Sequence, residues 1–135
     1  MENKIRISSG TRRINVNDEG DVILLHLDDD SFVLGFYNLM EYVKSAAMQI
    51  PGETEDVAGN AATMDQIVAL EEEVRRKVDT LFGEDTCRKV FGDKLPSMDL
   101  FVELFGSLVP FLEEYKAERV KRMGKYDASR TGSAL

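Results

Sequence analysis

Between Ser97 and Met123, apolar residues return at steps of three and four. Phe101, Leu104, Phe105, Leu108, Leu112 and Tyr115 share one helical face, and Glu103, Ser107, Glu113 and Glu114 fall on the other. Ser97 suits an N-cap, Asp99 places a negative charge in the first turn, and Gly124 is the expected stop. The pattern predicts a rod of roughly 39 Å at ~1.5 Å per residue. Gly106 and Pro110 interrupt it, both on the polar side, so the helix either bends around its apolar face or breaks in two at Ser107.

The N-terminal third has a period of two instead. Ile5 and Ile7 alternate with Lys4 and Arg6, Ser8-Ser9-Gly10 turns the chain, and Ile14 and Val16 alternate with polar neighbours. Asn17-Asp18-Glu19-Gly20 is a turn, because Asn and Asp bond their own backbone and Gly accepts positive φ. Val22 to Leu27 follows as a strand. The reading is an antiparallel β-hairpin or small meander, which needs helices against one face to be stable.

Asp28-Asp29-Asp30-Ser31 then opens a helix whose inner face is Phe32, Phe36, Leu39, Met40, Val43 and Ala47, and Pro51-Gly52 closes it. Glu53 to Ala62 is small and acidic and is expected to be a mobile loop. Thr63, with Gln66 three residues on, is expected to restart the helix as a capping box. Ile67, Leu70, Val74, Val78 and Leu81 form its inner face. Glu71, Glu72 and Glu73 are placed outside, each four residues before Arg75, Arg76 or Lys77. Gly83 ends that helix, and Glu84 to Phe91 forms a short one closed by Gly92. The fold class is therefore α+β: the hairpin or meander, then a bundle of three main helices and one short helix. Residues 1–126 form a single domain, and residues 127–135 are expected to be a disordered tail.

Composition narrows the role. The formal charge of −8 opposes sequence-independent binding to a phosphate backbone, so no nucleic-acid partner is expected. No apolar run approaches ~18 residues, and Met1-Glu2-Asn3-Lys4 lacks a signal-peptide layout, so no membrane partner is expected. The single Cys87 excludes an internal disulfide framework and fits a reducing, cytoplasmic setting.

Candidate chemistry is sparse. His26, the one histidine, lies in a strand beside Leu25 and Leu27, reads as a solvated residue, and has no second imidazole with which to share a metal. Cys87 follows Glu84-Asp85-Thr86, whose acids oppose a thiolate, and reads as structural. Asp28-Asp29-Asp30 could offer oxygens to a cation, but neighbouring side chains at a strand end diverge and the following helix already explains them. Asn15-x-Asn17-x-Glu19-Gly20 lacks the closing acid of a calcium loop, since His26 stands there. Lys116, Arg119, Lys121, Arg122 and Lys125 suit a helix C-terminus, where the dipole favours cations. No catalytic, cofactor or metal residue is assigned, and the chain is read as non-enzymatic.

The informative excess is apolar. Leu34, Tyr37 and Met48 project from the back of the first main helix, and six Met residues supply adaptable surface. Either the hairpin and the long helix sandwich this helix, which is the more economical reading, or these three side chains bind a partner.

Three stretches carry a resemblance. The first runs from Ile14-Asn15-Val16-Asn17 through the strand Val22 to Leu27 into Phe32 and Phe36-Tyr37-x-Leu39. The second is Leu81-Phe82-Gly83-Glu84-Asp85-Thr86-Cys87 with Val90-Phe91-Gly92, and the third is Pro96-Ser97-Met98-Asp99-Leu100. In this order the chain, over residues 14 to 126, resembles the tail assembly chaperones of long-tailed bacteriophages and prophages. The resemblance implies no enzyme chemistry. It implies binding of the tape-measure protein or another tail subunit in the bacterial host cytoplasm, and self-association as a possible homo-oligomer. The alternative is a structural component of the tail or virion. The resemblance carries no residue set across.

Overall fold

Two strands pair through the Asn17 turn. β1 (Thr11–Asn15) and β2 (Val22–His26) run antiparallel, with Thr11 opposite His26 and Asn15 opposite Val22. The structure, a computed structural model, describes residues 3–5, 10–52 and 55–132, with side chains as far as Lys125. The turn is built as its residues dictate: Asn17 Oδ1 accepts from the backbone N–H groups of Glu19 and Asp21, at 2.9 and 3.1 Å, and Gly20 takes φ +86°. Asn17 Nδ2 also donates to the Lys89 carbonyl at 3.0 Å, which ties the turn to a distant helix. Ile23, Leu25 and Leu27 alternate inward while Leu24 faces out. Residues 3–5 carry no regular structure, and Ile7 with Ser8-Ser9 lies outside the described residues, so the described sheet is the hairpin.

Four helices follow among the described residues: α1 (Asp30–Met48), α2 (Val57–Phe82), α3 (Thr86–Phe91) and α4 (Met98–Gly132). Asp29 caps α1 by accepting from the Ser31 N–H at 2.9 Å. Phe32, Phe36, Leu39 and Val43 are buried along α1, Val74, Val78 and Phe82 along α2, and Phe101, Leu104, Phe105, Leu108 and Leu112 along α4. Phe36 is the hub. Its ring meets Phe82 at 6.2 Å and Phe105 at 5.9 Å, both edge-on, and so joins α1, α2 and α4. Phe91 and Phe101, 5.4 Å apart, seat α3 against α4. Gly35 lets α1 approach α2, because a Cβ there would stand 2.8 Å from Leu81 Cδ1.

Several expectations are corrected. The stretch from 57 to 62 is helix, not loop. Asp56 is the cap, accepting from the Ala58 N–H at 3.2 Å, and the alanine-rich start outweighs Gly59, so Thr63 lies inside the helix. Glu71 points inward and is buried. Its Oε2 accepts from the Met98 N–H at 2.9 Å, so α2 supplies the group that satisfies the first donor of α4. The Ser97 hydroxyl meanwhile bonds the Asp99 carboxylate. Arg76 pairs with Glu73 rather than with Glu72, while the expected Glu73–Lys77 pair forms. Ala47, placed on the inner face from sequence, is exposed.

α4 runs unbroken through Pro110 and past Gly124 to Gly132. Pro110 is exposed, and a glycine in a solvated helix costs only about 1 kcal/mol, too little to end it among good helix formers. The expected tail at 127–135 therefore enters the last turns of α4 as far as Gly132, and residues 133–135 lie outside the description. At 35 residues α4 is about 52 Å long. No helix among the described residues is long and apolar enough to cross a membrane.

Candidate protein-binding face

The four buried residues of α1 use up one side of that helix. The adjoining side, one hundred degrees round, carries Tyr37, Met40, Lys44 and Met48. α4 lies alongside and contributes Val102, Phe105 and Gly106. Between them runs an open groove of ≈ 830 Å³. Its floor is apolar, and Glu41 and Lys44 place one charge of each sign among its lining residues.

Leu34, Tyr37 and Met48 are 60%, 39% and 79% exposed, so the hairpin and α4 do not sandwich α1 over them. Tyr37 and Met48 line the groove together. Leu34 is absent from its lining. Tyr37 also borders a smaller hollow of ≈ 240 Å³ with Leu112, Tyr115 and Lys116. Sequence reasoning missed the α4 wall altogether. Val102 breaks the 101–104–105–108 line, so its apolar character was the available signal; it is 58% exposed. Met40 and Ala47 were assigned to the inner face but sit at its edge and line the groove.

The candidate chemical groups are spread apart and individually occupied. His26 is half-buried, packs edge-on against Phe32 at 5.7 Å, and borders a cleft of ≈ 470 Å³ between α1 and α2. In that cleft Lys77 lies 4.8 Å over the Tyr42 ring and 3.7 Å from Glu73. Cys87 is not among the cleft's lining residues. It is buried beneath α2, where its N–H donates to Asp79 Oδ1 at 2.9 Å and its Sγ lies 3.7 Å from the Arg75 carbonyl. Burial, and then the Asp79 carboxylate, push the thiol up to about 12, so it stays protonated at neutral pH.

The three aspartates part company. Asp28 accepts from the Gly10 N–H at 3.3 Å, Asp29 caps α1, and Asp30 takes a bidentate pair from Arg119. That hydrogen-bonded guanidinium holds the Asp30 carboxyl below its usual range. No group of three metal-ligating side chains occurs among the described residues.

Residues 25–133 match the profile of a family of unknown function, DUF6673. The chain belongs to that family. The DUF6673 match takes in all four helices and the end of β2, and so includes both walls of the groove. Comparison with curated proteins and with solved structures gave no match.

Proposed function

We propose that this DUF6673 chain acts without catalysis, as an assembly chaperone that lays an apolar helix of a client into the groove between α1 and α4. The observation that carries the reading is the groove itself: an apolar trough whose rim residues Tyr37, Met48 and Val102 stand in water in the isolated chain. Met40 and Met48 can repack around different side chains, which suits a client that is held and then released. The sequence resemblance makes the client a tail subunit of a long-tailed phage or prophage, such as the tape-measure protein.

The test is coexpression with the tape-measure protein from the neighbouring reading frames, followed by affinity capture. The expected outcome is co-purification and a gain in client solubility, both lost in a Tyr37→Asp/Met48→Asp double variant that keeps native helicity. No co-purification with the unaltered chain overturns the reading. Stoichiometric recovery in purified particles would point instead to a structural tail component.

A further inference from the structure

Charge divides this chain at the point where α4 leaves the core. Residues 1–115 hold eleven basic and 23 acidic side chains, net −12, whereas residues 116–135 hold six and two, net +4. The far half of α4 is thus a cationic arm on an anionic body. Its core-facing line is used locally: Arg119 pairs with Asp30, and the Arg122 guanidinium lies 5.3 Å from the Tyr115 ring.

A second line on α4 touches the core through the half-buried Val109 and is otherwise exposed. Gly106, Val109, Glu113, Lys116, Val120 and Met123 follow one another at alternating steps of three and four, the spacing of a helix-pairing seam. Val120 and Met123 are 65% and 57% exposed, and nothing lies within 4 Å of where a Gly106 Cβ would be. Neither Glu113 nor Lys116 has an ion pair among the described residues.

We propose that this seam binds a second copy of the chain, with the two α4 helices antiparallel and the two-fold axis midway between Glu113 and Lys116. The order of residues on the seam is palindromic in chemistry. Turned end for end about that point, Glu113 meets Lys116 of the second copy, Val109 meets its Val120, and the notch at Gly106 receives its Met123. Each contact occurs twice, as an isologous interface requires. The arrangement also lays each cationic arm along the stretch of the other α4 that carries Glu103 and Glu113, so the charge asymmetry favours antiparallel over parallel pairing. A parallel pair would set Glu113 against Glu113 and Lys116 against Lys116. The pairing does not rest on the tail-assembly reading, although its Gly106 also lines the α1–α4 groove, and it is measured on the purified chain with no client present.

Sedimentation equilibrium from about 1 to about 200 µM reads the association directly. The unaltered chain is expected to dimerise in that range. Glu113→Lys is expected to raise the dissociation constant at least about tenfold, and adding Lys116→Glu to it is expected to restore the original value. Glu113 and Lys116 are exposed, so the monomer keeps its core contacts. Orientation is read by oxidative cross-linking: Gly106→Cys/Met123→Cys is expected to give a covalent dimer, and Met123→Cys alone is not. A monomer throughout the range, a dimer indifferent to charge reversal, failure of the double reversal to restore it, or self-cross-linking of Met123→Cys would each overturn the proposal.

Discussion

The two halves of α4 belong to one helix and obey different physics. From Met98 to Tyr115 the helix is held by what it covers: Phe101, Leu104, Phe105, Leu108 and Leu112 are all under 9% exposed. From Lys116 to Lys125 every residue is exposed, and the arm is held by backbone hydrogen bonding and two polar contacts made by Arg119 and Arg122. Tertiary burial, not propensity, supplies most of the stability of a protein helix. The near half therefore resists opening with the whole fold, and the far half opens on its own. A single helix can in this way be both a pillar of the core and a presented surface.

The comparison breaks first at Phe101. Phe101→Ala removes a fully enclosed ring and its contact with Phe91, and is expected to cost about 3–5 kcal/mol by denaturant unfolding. A loss under about 1 kcal/mol would mean that the near half is not packed as described.

Glu71 is the next test, because it anchors the start of the near half from another helix. Burial is the chief cause that raises its carboxyl above the ordinary value, against the opposing Met98 hydrogen bond. A raised acid binds more protons folded than unfolded, so its contribution to stability falls as pH rises from its unfolded pKa through the folded one. Glu71→Gln keeps an acceptor oxygen without the charge. Its stability relative to the unaltered chain is expected to improve on going from about pH 4 to pH 7. Glu71→Ala loses the acceptor altogether and is expected to cost about 0.5–2 kcal/mol. A pH-independent difference between Gln and Glu would contradict the burial.

The smallest effect belongs to the far half. Val120→Ser, followed at a concentration where the chain is monomeric, is expected to change unfolding free energy by less than about 0.5 kcal/mol. A larger loss would show that the arm folds back onto something.

What was legible in the sequence followed burial by a single element. The line from Phe101 to Leu112, the Phe32–Val43 face, the helix start at Asp28-Asp29-Asp30-Ser31 and the Asn17 turn each declare themselves within about a dozen residues. Much of what was not legible depended on pairs of elements. Glu71 has a basic residue four positions on and so looks solvated, yet it also stands four after Ile67 and three before Val74, on the inward line. Only the arrival of Met98 decides between the two. Asp56 was the better cap for α2, but the acidic stretch around it hid one capping residue among several. Gly124 reads as a stop when weighed alone and is overruled by the helix formers on either side. The groove has one wall from α1 and one from α4, and no periodicity within either helix says that Tyr37 and Val102 will share it.

Cys87 has a practical consequence of a different kind. A thiol carried by α3, sealed under α2 and kept protonated at neutral pH, is silent toward alkylating reagents while the corner stays shut. The rate of reaction with such a reagent then reports how readily that corner opens, and the chain carries its own probe of when its interior meets water.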